Sequence, residues 1–414
     1  MRSSAIRRIA SPVAALPLAG AAPSRAAGRK ASSRRPRAPR GGPIERTVHD
    51  IVEVLPRSVE IALAALAALS VMLAGGYLFA TLRARRLGRQ RAELLDQVGL
   101  LQEALLPAVP RRLRSLRVSV AYRPADGPGA GGDFYDVLRL PSGGSGFIVG
   151  DISGHGKAAL ARTAFLRYTL GAYLEAGLEP RAALQVTERV VGDKLASDFA
   201  TVLVAVHDPD TGSLTYASAG HPPPIVVGPD EFTPITKLAS PPLGVGFQTG
   251  LRQTTVPLPP ESVACMFTDG LPEARTQRGL LGRGRLGDIV AELGPAATAQ
   301  QVVERVAAEA RAVKDDMAAC LIASTSGTTV GSFRREVLEL TAADVQRGLA
   351  HEFLAACGVG GEQAAEAVDQ AGATTKRFGG AVLEVTVGNR LRVEVLPSNV
   401  ASIELGHAAT IRQA

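Results

Sequence analysis

The sequence predicts an α+β protein whose strands are joined in hairpins, with helices between them and one long apolar helix in front. Three observations carry that expectation. The apolar runs Ala200 to His207 and Ser213 to Ala219 flank Asp208-Pro209-Asp210-Thr211-Gly212, a turn-forming stretch that closes a hairpin. Lys157 to Ala176 and Arg181 to Leu195 repeat their apolar residues at helical spacing. Ile61 to Ala80 is twenty residues without a charge, long enough as a helix to cross about 30 Å of hydrocarbon.

Residues 1–58 read as a basic tail, densest at Arg34-Arg35-Pro36-Arg37-Ala38-Pro39-Arg40 and too poor in large apolar residues for a core. A targeting peptide, or a start codon placed too early, fits residues 1–46 as well. The stretch before Ile61 leaves no room for a PAS- or GAF-sized sensor.

Residues 59–82 are then expected to span a membrane, although the seven alanines in Ile61–Ala80 also suit a buried soluble helix. Arg83, Arg85, Arg86, Arg89 and Arg91 follow at once, against Arg40, Arg46 and Arg57 before the span. By the positive-inside rule the C-terminal side faces the cytoplasm, giving a single-pass protein of the inner membrane. Residues 83–107 form a helical linker. Leu87, Leu94 and Leu101 recur every seven residues with Val98 and Leu105 between them, a seam suited to a homodimer, but Arg91 and Gly99 interrupt it and a lone docked helix is equally consistent. Pro107 ends the helix.

Leu116 to Tyr122 alternates as a strand, and further strands are expected at Arg252–Val256, Val263–Thr268 and Met317–Ser324, with a helix at Ala299–Val313. After the linker Ser324–Gly331, residues 332–414 begin again. A strand at Arg334–Leu340, helices at Ala342–Cys357 and Glu362–Phe378, and a hairpin turning at Gly388-Asn389 make a small second α+β region.

The composition narrows the function classes. With 46% hydrophobic residues the 414-residue chain is not globally disordered, and with no tryptophan and 4% aromatics its cores are built from Ala, Val and Leu. Residues 1–91 hold 17 Lys/Arg against 4 Asp/Glu, while residues 92–414 hold 29 against 35. The high isoelectric point therefore belongs to the tail, and nucleic-acid binding by the folded part is not expected. Cys265, Cys320 and Cys357 are far apart and odd in number, which suits structural thiols in a reducing compartment.

Acidic residues stand where strands end. Gly-Gly-Asp-Phe-Tyr-Asp runs from Gly131 to Asp136, and Gly-Asp-Ile-Ser-Gly-His-Gly from Gly150 to Gly156, just after Phe147-Ile148-Val149. Thr268-Asp269-Gly270 follows the apolar run Val263–Phe267, and Asp315-Asp316 precedes Met317–Ile322. Carboxylates with few histidines suit hard cations such as Mg2+ or Mn2+ better than zinc. Any one Asp-Gly turn taken alone is more often only a turn.

In this order, together with Ala219-Gly220-His221-Pro222-Pro223-Pro224, Pro242-Leu243-Gly244-Val245 and Phe267-Thr268-Asp269-Gly270-Leu271-Pro272-Glu273-Ala274, these motifs resemble the SpoIIE-type branch of the metal-dependent (type 2C, PPM) serine/threonine protein phosphatases, from about Leu101 to Ser324. The resemblance implies a catalytic domain at 108–325, built as two packed antiparallel sheets flanked by helices. It also implies two Mn2+ or Mg2+ ions, bridged by Asp151, with Asp133 and the Ile152 carbonyl holding one and Asp269 and Asp315 the other. A phosphorylated regulatory protein, in this branch typically an anti-anti-sigma factor of STAS type, is the implied substrate. Asp136 and Asp316 are expected to support the site or cap turns, His155 to protonate the leaving serine oxygen or merely to turn the chain, and His221 to be structural. One departure from the family pattern is Ala318, where a threonine is usual, which loosens the expected support of the site. Residues 332–414 faintly resemble a histidine-kinase-like ATPase domain. Ala373 stands where the metal-binding asparagine after Asp369 is expected, and no Asp-x-Gly-x-Gly box follows, so ATP binding and a bifunctional kinase are not expected. The alternative to an active enzyme is a membrane-anchored pseudophosphatase that only binds partners.

Overall fold

The computed structural model describes residues 56–105, 107, 109–125, 132–154, 157–195, 198–228, 232–235, 239–325, 333–388 and 390–398. The chain divides into two compact units, Met1–Leu82 and Arg83–Ala414. Residues 1–55 of the expected tail, and its alternatives, lie outside the described residues, as do His155, Asn389 and everything beyond Ser398, whereas Arg57 and Ser58, expected in the tail, are already helical.

Helix α1 is Arg57–Leu105. Its stretch Arg57–Gly88 is long and apolar enough to cross a membrane, and none of its most apolar window is buried by protein. Val71 and Met72 are fully presented outward at 73% and 67% exposure, a surface that water does not favour and lipid does. Two hydroxyls there bond within the helix: Ser70 Oγ donates to the Leu66 carbonyl (2.8 Å) and Thr81 Oγ1 to that of Leu78 (2.9 Å). The backbone is helical to Leu105, but the side chains that would form most of the leucine seam lie outside the described ones.

The remaining elements, in order, are β1 (Arg112–Leu113), β2 (Leu116–Arg123), β3 (Phe134–Arg139), β4 (Ser145–Ile152), α2 (Lys157–Glu175), α3 (Pro180–Val191) with a 3-10 turn at Gly192–Leu195, β5 (Ala200–Asp208), β6 (Ser213–Ala219), β7 (Ile225–Val227), β8 (Arg252–Pro257), β9 (Val263–Phe267), β10 (Arg275–Thr276), β11 (Gly279–Leu280), α4 (Gly282–Leu293), α5 (Ala299–Glu309), β12 (Met317–Ser324), β13 (Arg334–Leu340), α6 (Ala342–Gln346), α7 (Leu349–Ala356), α8 (Gly361–Phe378), β14 (Ala381–Val387) and β15 (Leu391–Pro397). All ladders between named strands are antiparallel. One sheet runs β1-β2-β12-β9-β7 and the other β15-β14-β13-β8-β6-β5-β4-β3.

The two sheets pack face to face, and strand periodicity sorts the side chains. From β4 and β5, Phe147, Val149, Leu203 and Ala205 point between the sheets, where they meet Ala264, Met266, Cys320 and Ile322 from β9 and β12. The alternate residues Ile148, Ile152, Val202 and Val204 point outward onto Leu166, Leu170, Leu174 and Leu184 of α2 and α3. On the opposite side Cys265, Phe267, Ala319 and Leu321 pack under α4 and α5. Both faces of the central strands are covered, which explains why β9 and β12 read as unbroken apolar runs. All three cysteines are buried free thiols.

The second sheet does not stop at the linker. Strand β13 pairs with β8 from Arg335↔Thr255 to Leu338↔Arg252, so β13, β14 and β15 extend the same sheet. Their outer face packs on α6–α8 around Phe353 and Leu354, and Ile235 from the preceding region joins that core. The helix expected over Ala342–Cys357 is two short ones, because Gly348 between them is left-handed (φ +83°). Helix α4 was not anticipated: Gly282, Gly284 and Gly287 mask a helical pattern whose Leu286, Ile289 and Val290 are wholly buried.

Candidate metal centre

Antiparallel pairing brings the acidic positions to one end of the sandwich. In the second sheet Phe134 pairs with Gly150, so Asp133, just before β3, lies beside Asp151 near the end of β4. In the first sheet Phe267 pairs with Ala319, so Thr268-Asp269 after β9 lies beside Asp315-Asp316 before β12. Carboxylate oxygens of Asp133, Asp151 and Asp269 all lie within 4.8 Å of one another. Asp133 is buried, the other two are half-buried, and Asp315 is exposed at the margin of the trio.

Two glycines make the approach possible. A Cβ on Gly132 would stand 2.0 Å from the Ile152 carbonyl oxygen and 2.4 Å from Asp151 Oδ1, and one on Gly270 would stand 1.9 Å from the Asp316 carbonyl oxygen. The Ile152 carbonyl is thereby held against the Asp133 loop, and the Ile152 N–H donates to the Gly132 carbonyl (3.2 Å).

The cluster is electrostatically strained without a cation. Burial, then the Asp151 charge, pushes the Asp133 carboxyl well above the usual carboxylate range. Burial, followed by the charges of Asp269 and Asp315, pushes Asp151 up to about 7. Burial and Asp315 raise Asp269 as well. Anionic oxygens crowded in this way, beside a backbone carbonyl and with no side-chain ammonium or guanidinium paired to them among the described residues, fit divalent hard cations.

The other acidic residues serve the frame. Asp136 accepts from the Val137 N–H (2.8 Å) and faces Arg167 of α2 (3.7 Å). Asp316 accepts from the Ala125 N–H (2.9 Å) and from the Tyr122 hydroxyl, fixing the end of β2.

Thr268 is a site residue that sequence reasoning passed over. Wholly buried, its hydroxyl donates to Asp133 Oδ2 (2.7 Å) and accepts from the Ala318 N–H (2.9 Å), linking the two sheets at the cluster. The only signal in the sequence was its place immediately before Asp269. Thr268→Val removes a hydrogen bond to a charged group, worth about 1.5 kcal/mol or more. Mn2+ affinity measured by calorimetry should fall about tenfold, with Thr268→Ser restoring it; equal affinity in the valine variant would leave Thr268 a packing residue only.

His221 is also buried. The Phe267 carbonyl can only accept, so Nε2 carries the proton it donates there (2.9 Å), and Nδ1 accepts from Thr201 Oγ1 (3.0 Å). This neutral ring ties β5, beside Asp151, to the strand that delivers Asp269. Burial lowers its pKa to about 4. The unfolded chain therefore takes up the proton first, and this contribution to stability is present above pH 6.5 and lost as pH falls toward 4, by roughly 3 kcal/mol. Urea unfolding at pH 7 and pH 4.5 should show a larger loss in the wild type than in His221→Gln, and equal losses would refute the assignment.

Residues 141–324 match the family described as Stage II sporulation protein E (SpoIIE). Phosphoserine phosphatase RsbU of Bacillus subtilis is 28% identical over 177 residues, covering 42% of this chain and 52% of the relative. Protein IcfG of Synechocystis is 22% identical over 215 residues, covering 45% of this chain and 34% of the relative. The chain thus spans about half the length of the first relative and a third of the second. Among solved structures, the RsbU and RsbW domains of a Mycobacterium tuberculosis protein superpose with a TM-score of 0.45 at 25% identity, covering 70% of this chain and 84% of that one. The SiaA-PP2C domain of Pseudomonas aeruginosa gives 0.49 at 23%, covering 58% and 98%. The matched segment 141–324, the two antiparallel sheets flanked by helices and the acidic residues at the strand ends together make this part of the chain similar to the SpoIIE-type, RsbU-like domains of the metal-dependent PPM phosphatases.

Proposed function

We propose that the chain is a metal-dependent serine/threonine protein phosphatase acting on a phosphorylated regulatory protein in bacterial sigma-factor signalling, with an anti-anti-sigma factor of STAS type as substrate. The observation that carries this reading is the meeting of Asp133, Asp151 and Asp269 inside a SpoIIE-type domain. The 28% identity to a phosphoserine phosphatase supports the reaction class.

Asp151, within reach of both Asp133 and Asp269, would be the ligand that two cations share. Asp133 and the Ile152 carbonyl would hold one, Asp269 and Asp315 the other. Mn2+ or Mg2+ bound there supplies Lewis-acid polarisation of a phosphoryl oxygen and acidifies water for attack on phosphorus. The chain's own residues do the positioning. Thr268 fixes the Asp133 carboxylate, Gly132 lets the Ile152 carbonyl face the site, and His221 holds the Asp269 strand against β5. Attack by water leaves no covalent enzyme intermediate.

Manganese-dependent release of phosphate from a phosphoserine STAS-type protein by the full chain, abolished by EDTA, tests the reading. Tight binding of the phosphoprotein without turnover under any divalent metal would favour the pseudophosphatase alternative.

The same reading places the protein in the inner membrane, crossing once through α1 with the catalytic unit in the cytoplasm, and pairs two copies through the linker helix. Its support is the apolar stretch Arg57–Gly88 and the arginines that follow Ala80. The full chain should stay with membranes through a high-salt wash, whereas a protein starting at Leu82 should remain in the supernatant. Release of the full chain by salt alone would reduce the anchor to an electrostatic tail.

A further inference from the structure

Beside the acidic cluster lies a second cavity, about 300 Å³, lined by Gly270, Glu273, Arg275, Leu280, Lys314 and Asp315 among others. Asp315 is its shared wall with the cluster. The β10–β11 hairpin forms one side, and the stretch leading into β12 forms the other. The Arg275 carbonyl accepts from the Arg311 N–H (2.8 Å), which ties the two sides together.

Four exposed cations lie in or next to this lining: Arg275 and Lys314 belong to it, Arg278 sits in the turn between β10 and β11, and Arg311 is bonded through its backbone to Arg275. Among the described residues none of their side chains makes an ion pair or a hydrogen bond, whereas nearby Arg285 is held by Glu292 and Glu309 and Arg283 by the carbonyls of Pro223 and Pro224. The rim is a local exception, since residues 92–414 carry more acidic than basic side chains. Glu273 is the one acidic residue in the lining besides Asp315. Exposed Leu280 supplies an apolar wall.

We infer that this rim selects the substrate: it takes phosphorylated segments with Asp or Glu a few residues from the phosphoserine. The inference rests on the proposed function and names the substrate class of that site. In an extended peptide, side chains two to four residues from the phosphoserine stand about 7 to 14 Å from the phosphate. A cavity opening next to Asp315 lies within that reach. Each exposed charge pair supplies a factor of about two to five in affinity, so two such pairs give roughly a tenfold preference. Salt weakens that preference.

The test compares two phosphoserine peptides that differ only in glutamate or glutamine flanks, with p-nitrophenyl phosphate as a reference, using the full chain and Mn2+. The Glu-flanked peptide is expected to exceed the Gln-flanked one about tenfold in kcat/KM, mainly through KM. Arg275→Glu with Arg278→Glu should bring the ratio to one or below, and Arg275→Gln with Arg278→Gln should give an intermediate value. A wild-type ratio near one, or a tenfold ratio that survives charge reversal, overturns the rim. If neither peptide nor p-nitrophenyl phosphate is hydrolysed, the phosphatase reading fails instead. Fluorescence anisotropy of the same labelled peptides on wild-type and charge-reversed chains then decides the rim independently: a Glu preference lost on reversal sustains it, and equal binding overturns it.

Discussion

Asp151→Asn should abolish turnover and, in EDTA at pH 8, make the protein more resistant to heat than the wild type. Both halves follow from one fact: the carboxylate stands where three acidic groups meet. Its pKa of about 7 in the folded chain, against an ordinary value of 3.8, means that folding favours the protonated form. A raised folded value gives stability that is fully present below pH 3.8 and lost as pH rises through 7. At pH 8 the whole loss is in force, roughly 4 kcal/mol for a shift of this size and nearer 2 once partial solvent contact is allowed for. Asparagine keeps the shape and removes the charge, so the metal-free variant gains that amount at pH 8 and little at pH 4. Scanning fluorimetry in EDTA at both pH values, with Mn2+ titration by calorimetry, checks the pair of effects. Near-normal turnover, or a variant that melts lower at pH 8, would show that Asp151 is not at the centre of a cation site.

The acidic positions were legible because each lies at a boundary that sequence marks well, an apolar run stopped by Asp and Gly, as at Val149-Gly150-Asp151 and Phe267-Thr268-Asp269. Their support was less legible. Ala318, lacking the usual threonine hydroxyl, suggested a loosened site, yet the strand offers its backbone N–H to Thr268, whose hydroxyl in turn holds Asp133. That link joins residues 135 positions apart across two sheets, and no local pattern encodes it. His221 in Gly-His-Pro-Pro-Pro reads from sequence only as structural, and its two ring contacts appear only when β5 and β9 are brought together. The pairing of β13 with β8 was hidden for the same reason. A Ser/Thr/Gly linker is a strong local sign of a break, whereas strand register between Arg335 and Thr255 depends on the assembled sheet.

That shared sheet predicts how the C-terminal region unfolds. Phe353 is wholly buried among Leu338, Leu340, Leu354, Leu383 and Ile235, so Phe353→Ala should cost about 3 to 5 kcal/mol through lost contacts and an unfilled cavity. The loss cannot stay local. If β13 separates, β8 loses its neighbour on one side, and its backbone ladder from Arg252 to Thr255 is left unpaired. Glu339 leaves with it, and that buried carboxylate accepts from Arg181 (2.7 Å) and Gln185 (2.6 Å) of α3 as well as from Ser398. Removing it would leave an arginine on the helix that covers Ala217 and Val202 without its partner. The strands of the acidic cluster and the C-terminal helices should therefore unfold together in detergent micelles, as one transition moved to lower denaturant with an unchanged slope. Circular dichroism and tyrosine fluorescence followed through the same urea titration should coincide in both proteins. Two separated transitions, of which Phe353→Ala moves only one, would show that residues 333–398 fold independently on the edge of the sheet.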